Sequence, residues 1–150
     1  MRAMPRPRVL LVVSFLVLAA CTAPRQVIRS DAAPAAIGPY SQAIAAGDLV
    51  WVAGQIGRDP TTGALAGPSI EEETHQALRN VGAILAAAGC TFADVVQAQV
   101  FLTDLADFAA MNAVYAGYFP SDAPPARATV QVAALAGGAR IEVMVVARRR

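Results

Sequence analysis

Two stretches near the C-terminus repeat with a period of two, and that period restricts the fold more than any other feature of the chain. In "RIEVMVVARR", residues 140–149, Ile141, Val143 and Val145 alternate with Arg140, Glu142, Met144 and Val146. In "ARATVQVAAL", residues 126–135, Ala128, Val130 and Val132 alternate with Arg127, Thr129 and Gln131. Successive side chains of a strand point to opposite faces, so both stretches are expected to be strands with two unlike faces, joined through a Gly137-Gly138 turn. The aliphatic row of each is expected to lie under helices. The other row sets Met144 and Val146 beside Glu142, which is too apolar for free water and too polar for a core. Such a face suits the wall of an oligomer.

Upstream segments supply the helices. "SQAIAAGDLVWVAGQIG" reads as two short strands around a Gly47-Asp48 turn. Ser69 and Glu72 form a capping box, with Glu71 and Glu73 suiting the helix dipole, for a helix that stops at Gly89. Its apolar stripe is Ile70, Thr74, Leu78, Val81 and Leu85, and His75 falls just off it. Asp94 to Thr103 is β-branched and apolar, hence a strand. Asp104 then caps "LADFAAMNAVYAGYF", whose stripe is expected to be Leu105, Phe108, Asn112, Tyr115 and Phe119. The order β-β-α-β-α-β-β predicts an α+β fold: one mixed sheet with two helices on one face.

The first 20 residues do not belong to that domain. "MRAMPRPR" is basic, Val9 to Ala20 is an apolar run, and "LAAC" ends at Cys21. The run is too short for a spanning helix, which takes about 20 residues, and it fits a secretory signal. Small residues before a cysteine resemble a bacterial lipobox, so residues 1–20 read as a lipoprotein signal peptide and Cys21 as the lipidation site. With no Asp after the cysteine, the expected place is the cell envelope, on the periplasmic side of an outer membrane. Residues 21–35 read as a tether, and 36–150 as the folded domain. Removing Arg2, Arg6 and Arg8 leaves 9 basic against 11 acidic residues, a formal charge of −2, which gives no reason to expect a nucleic-acid partner.

The inventory of reactive side chains is short. There is no lysine, and the only histidine is His75, so a Schiff-base lysine and a His-rich metal centre within one chain are excluded. Chemistry has to come from Arg, Asp, Glu, Tyr, Thr, Asn and backbone. Arg127 opens a strand with a planar fork that matches a carboxylate. Glu142 stands alone in an apolar strand and could face the same cleft, although spacing alone favours the simpler reading, an ordinary ion pair across the sheet. Asn112 on a helix stripe needs a partner, in a neighbouring loop or in a site. Tyr40 follows Gly38-Pro39 on a fixed turn, as a lid or as a packed aromatic.

Taken together, "APAAIGPYSQAI", "VAGQIGRDPTTGAL", "VFLTDLADFAAMNAVYAGYF", "PPARATVQVAAL" and "IEVMVVA" resemble the Rid (YjgF) family of reactive intermediate deaminases, from about Ala33 to Ala147. The resemblance implies a chorismate-mutase-like fold and a homotrimer with sites in clefts between subunits. It also implies hydrolysis of 2-imino and enamine acids derived from 2-aminoacrylate, giving 2-keto acids and ammonia without a metal or organic cofactor. In that pattern Arg127 binds the substrate carboxylate and Glu142 positions water, while Tyr40, Gly54, Asn112 and Thr129 line the substrate. Three positions depart from common relatives: Ala53 for Ser, Thr129 for Cys, and Met144 for a second acid. The alternative is a small-carboxylate-binding envelope lipoprotein without turnover.

Overall fold

The computed structural model describes residues 24–149. The signal-peptide reading of residues 1–20 and the lipidation of Cys21 fall outside the described residues. The elements are β1 (Gln26–Ile28), β2 (Ala43–Ala46), β3 (Leu49–Ile56), α1 (Ile70–Ala87), β4 (Val95–Leu102), α2 (Phe108–Ala116), β5 (Ala126–Gln131) and β6 (Ile141–Arg148). They form one six-stranded sheet in the order β1-β2-β3-β6-β4-β5. Only β4 and β5 run parallel, and a parallel pair needs a long crossover, here supplied by α2. The expected α+β class and mixed sheet are found.

Local chemistry explains most boundaries. Gly47, at φ 62°, supplies the positive angle that a two-residue hairpin loop requires, and β2 and β3 pair on either side of it from Ala46↔Leu49. Ser69 Oγ accepts from the Glu72 amide and the Glu72 carboxylate accepts from the Ser69 amide, so α1 starts on the expected capping box. It ends at Ala87, with Gly89 in the left-handed region at φ 74°.

The core lies between α1 and one sheet face. Val50 and Val52 of β3, Ala98, Val100 and Leu102 of β4, and Ile141, Val143 and Val145 of β6 are buried against Leu78, Val81, Ile84 and Leu85. Burying each of the valine, leucine and isoleucine side chains contributes roughly 1.5–3 kcal/mol. All five residues of the expected α1 stripe are buried. The same helix also buries Glu73, Gln76 and Asn80, each bonded as buried polar groups must be. Glu73 Oε2 accepts from the Arg140 amide, and Asn80 Nδ2 donates to the carbonyls of Ile56 and Arg58.

Three expectations are corrected. The segment read as a tether enters the fold early: Gln26–Ile28 pairs with β2, and Ile28 and Ala33 are buried. Gln42 holds that segment, accepting from the Ser30 amide and donating to the carbonyls of Ser30, Ala33 and Pro34. Second, the aliphatic row of β5 does not lie under the helices. Ala128 and Val130 are exposed while Arg127 and Thr129 are half-buried, because register with β4 (Ala98↔Arg127, Val100↔Thr129) puts them on the face of buried Ala98 and Val100. Third, α2 is turned by about one position. Met111, Tyr115 and Phe119 are buried, Leu105 and Phe108 are exposed, and Asn112 sits half-buried at the border. The first turn after Asp104 is a separate 3-10 segment, Leu105–Asp107.

Candidate functional site

Glu142 and Arg127 are not brought together within one chain. Phe101 pairs with Glu142 on one side and with Val130 on the other. Glu142 therefore shares the open face with Val130, and Arg127, three residues back, lies on the helix face. The expectation that the two line one cleft of a single chain is overturned, and the physical reason is sheet parity, which an alternating pattern cannot assign to a face.

The Glu142 half is built by backbone. β3 pairs with β6 as Val52↔Val145 and then Gln55↔Val143, so β3 carries one extra residue, a β-bulge, at Ala53-Gly54. Gln55 stabilises it by donating Nε2 to the carbonyls of Ala53 and Gly54 at 3.1 and 3.0 Å. The Glu142 carboxylate lies so close over Gly54 that a Cβ there would come within 1.6 Å of Oε1. Gly54 thus makes room for the acid. Together they line a cleft of about 440 Å³ whose walls include Tyr40, Arg58, Ala136 and Met144. The Tyr40 hydroxyl accepts from the Ile37 amide at 3.4 Å, and its ring is half exposed in the cleft. Burial pushes the Glu142 carboxyl above its ordinary proton affinity.

The Arg127 half is built by side chains. Asn112 Oδ1 accepts from Arg127 Nη2 at 2.8 Å. The guanidinium stacks over the Tyr115 ring, 4.5 Å from its centroid, with Phe108 at 5.8 Å. Burial pushes the Tyr115 hydroxyl up to about 12, and the nearby Arg127 charge offsets only part of that. The Tyr115 hydroxyl and Thr129 Oγ1 are buried without a hydrogen-bond partner of good geometry. Two donors and a cation gathered where α2 meets the edge strand β5 favour an anionic oxygen ligand. Asn112 and Thr129 therefore group with Arg127, and Tyr40 and Gly54 with Glu142.

Sequence reasoning passed over Gln42, Gln55, Arg58 and the stacking role of Tyr115. The last was legible as a ring three residues after Asn112 on one helix. The others depend on long-range pairing. His75, expected beside the apolar stripe of α1, is exposed, its Nδ1 3.0 Å from the Tyr118 hydroxyl. Among the described residues no group of three or more His, Cys, Asp or Glu gathers as a metal site.

Residues 30–149 match the family model described as Endoribonuclease L-PSP, the family to which the Rid (YjgF) proteins belong. The chain belongs to the Rid family. It is 50% identical over 123 residues to the 2-iminobutanoate/2-iminopropanoate deaminase of Capra hircus, covering 82% of this chain and 89% of that one. It is 46% identical to Reactive Intermediate Deaminase A, chloroplastic, of Arabidopsis thaliana, over 88% of this chain and 70% of that one. Among solved structures, E. coli TdcF with bound serine superposes with a TM-score of 0.79 at 38% identity, covering 83% of this chain and 99% of that one. The Rid fold is therefore shared along nearly the whole described chain.

Proposed function

We infer that this chain hydrolyses 2-imino acids and their enamine tautomers, the products of 2-aminoacrylate chemistry, to 2-keto acids and ammonia. The observation that carries the reading is the division of the site: a carboxylate seat at Arg127 and a proton-accepting carboxylate over Gly54, each incomplete alone. Groups on opposite faces of one sheet meet when different copies contribute them. A head-to-tail contact that closes on itself gives a ring, and we take the ring to be the homotrimer that the family resemblance implies. Its wall is the open face, where Trp51 and Val130 are 44% and 45% exposed.

The chemistry follows from the residue types. Arg127, held by Asn112 and stacked on Tyr115, grips the substrate carboxylate and fixes its orientation. Thr129 and Tyr115 offer their free hydroxyls to the same ligand. Glu142 of a neighbouring copy holds a water against the imine carbon. The water oxygen bonds to carbon as the carboxylate takes its proton, and that proton passes to nitrogen. The hydroxyl proton of the resulting carbinolamine then passes to nitrogen through the same carboxylate, the C–N bond breaks, ammonia leaves, and the carbonyl forms. A carboxyl group with raised proton affinity is the stronger base. An imine carbon is already electrophilic, so a barrier reduction of about 4 kcal/mol, roughly a thousandfold, is sufficient. The E. coli relative with bound serine carries a ligand with an α-carboxylate, which supports the assignment of Arg127. His75, engaged with Tyr118 on the outer side of α1, is not available to either half.

We place the protein in the cell envelope, exported and lipidated at Cys21 on the periplasmic side of the outer membrane. Cys21→Ala then moves it from the membrane fraction to the soluble one, and an unchanged distribution overturns the anchor. For the activity, 2-iminopropanoate generated in place by an amino acid oxidase is followed as ammonia or keto acid. Acceleration by the wild type and its loss in Arg127→Ala are expected. Binding of pyruvate with no effect on imine lifetime overturns the hydrolase and leaves a carboxylate-binding protein.

A further inference from the structure

We propose that Arg58 selects 2-imino acids whose side chain ends in a second carboxylate, making short 2-imino dicarboxylates preferred substrates. The inference rests on the imine-hydrolase reading above and adds the substrate class. Arg58 lines the same cleft as Glu142, and among the described residues lining it Arg58 is the only cation and Glu142 the only anion. The remaining wall is mostly apolar, with Ile37, Ile56, Ala136 and Met144. A cation in such surroundings gains most from an anion brought in with the ligand.

The described residues do not supply that anion themselves. Arg58 takes no part in the ion pairs found among the described residues, which join Arg140 to Asp107 and Arg148 to Asp48. Its neighbour Asp59 is turned away, accepting from the amides of Thr61 and Thr62 at 2.7 and 2.8 Å. No ion pair among the described residues joins Arg58 to Glu142 either, so the two charges of the cleft are not paired with one another. The guanidinium is nevertheless held in place. Its Nη1 donates to the Gly63 carbonyl, and Nη2 lies close over Gly137, where a Cβ would meet it at 2.5 Å. Its backbone is fixed by Asn80, which donates to the Arg58 carbonyl at 2.8 Å, and by the Arg58 amide, which donates to Ile56 at 2.8 Å. A guanidinium has five N–H donors, so most remain for a carboxylate fork.

The geometry gives such a substrate two grips. Arg127 of one copy holds the α-carboxylate, Glu142 of the next addresses the imine carbon, and the side chain extends along the wall toward Arg58. A methyl side chain leaves Arg58 unused, whereas one or two methylenes ending in a carboxylate would engage it.

The test compares kcat/KM of the full chain for 2-iminosuccinate, generated from aspartate by an oxidase, with that for 2-iminopropanoate. In Arg58→Leu the dicarboxylate value falls about tenfold or more while the methyl substrate changes less than about twofold, and Arg58→Lys recovers part of the loss. Equal losses for both substrates reduce Arg58 to a clip between loops, and no change for either removes its role. Both results overturn the proposal. Should Arg58→Leu fail to fold, the wild type decides by binding of the products. Oxaloacetate is expected to bind about tenfold more tightly than pyruvate, with a margin that shrinks in salt, and equal binding overturns selection by Arg58. That comparison is informative even if the wild type hydrolyses no imine at all, a result that would sink the hydrolase reading and not the second-carboxylate site.

Discussion

The two halves of the site are made of different materials. The Glu142 half sits at the centre of the sheet, where β3 and β6 are paired on both sides, and a bulge and a glycine define it. The Arg127 half sits on an edge strand, and an amide and an aromatic ring reached from α2 define it. A half set by backbone has almost no tolerance for added atoms. A half set by side chains can be weakened in steps. Because the two face opposite ways, the proposed reaction needs a second copy, and on that reading the catalytic unit is the contact between chains.

The largest effect is expected where that separation is tested directly. Arg127→Ala and Glu142→Ala should each lower imine hydrolysis about a thousandfold, as loss of a positioned base or orienting group does. Co-expressed, the two inactive chains should recover activity, because some contacts pair an intact arginine of one copy with an intact glutamate of the next. Random mixing in a ring gives about a quarter of the wild-type rate. No recovery on mixing would mean that one chain must supply both groups, and the comparison between halves would break.

Next in size is Gly54→Ala. The new methyl would stand 1.6 Å from Glu142 Oε1, so the carboxylate must leave its seat. A displacement of that order costs about a hundredfold in kcat, with KM for the carboxylate substrate nearly unchanged because the Arg127 half is untouched. An equal fall in affinity would mean that Gly54 also contacts the substrate.

How much of this was legible is itself uneven. The hairpin at Gly47-Asp48, the capping box at Ser69 and Glu72, and the buried row of β6 depend on neighbours within a few residues, and each was readable from the chain. The side of the sheet taken by Arg127 was not. The aliphatic row of the stretch holding β5, Ala128, Val130 and Val132, points by its own pattern to the core, but the parity comes from pairing with β4, about 30 residues away. β1 escaped for a similar reason. Three residues carry no periodicity, and their place depends on Gln42 reaching back to Ser30, Ala33 and Pro34. Site residues were recognisable by type and motif, but their division between faces, and the bulge that seats Glu142, are properties of the sheet.

A smaller effect separates side-chain support from chemistry. Asn112→Ala frees one guanidinium nitrogen, and Tyr115→Leu removes the ring beneath it. Each should raise KM about tenfold through a less well-held Arg127 while lowering kcat little, the signature of lost uniform binding. Steady-state kinetics over substrate concentration distinguishes this from the kcat effect expected at Gly54. A kcat loss in Tyr115→Leu would place the Tyr115 hydroxyl on the reacting atoms.

The smallest effect is thermodynamic. Burial raises the Glu142 carboxyl above its ordinary value of 4.5, so the folded protein binds that proton more tightly than the unfolded chain does. A raised native pKa contributes stability that is fully present below the unfolded value and lost as pH rises through the native one. At neutral pH the ionised carboxylate over Gly54 is therefore a cost, and Glu142→Gln, which keeps the shape, should raise the urea midpoint slightly at pH 7 while removing activity. The gain should vanish below about pH 4, where the native carboxyl is protonated in both states. The acid limb of kcat/KM should for the same reason lie above the ordinary carboxylate range. Destabilisation by Glu142→Gln at pH 7 would carry the opposite meaning: a cation already holds this carboxylate in the resting protein. Since none among the described residues of its own chain does, the guanidinium of a neighbouring copy would have to be in contact before any substrate binds, and substrate would then have to part the two halves rather than bridge them.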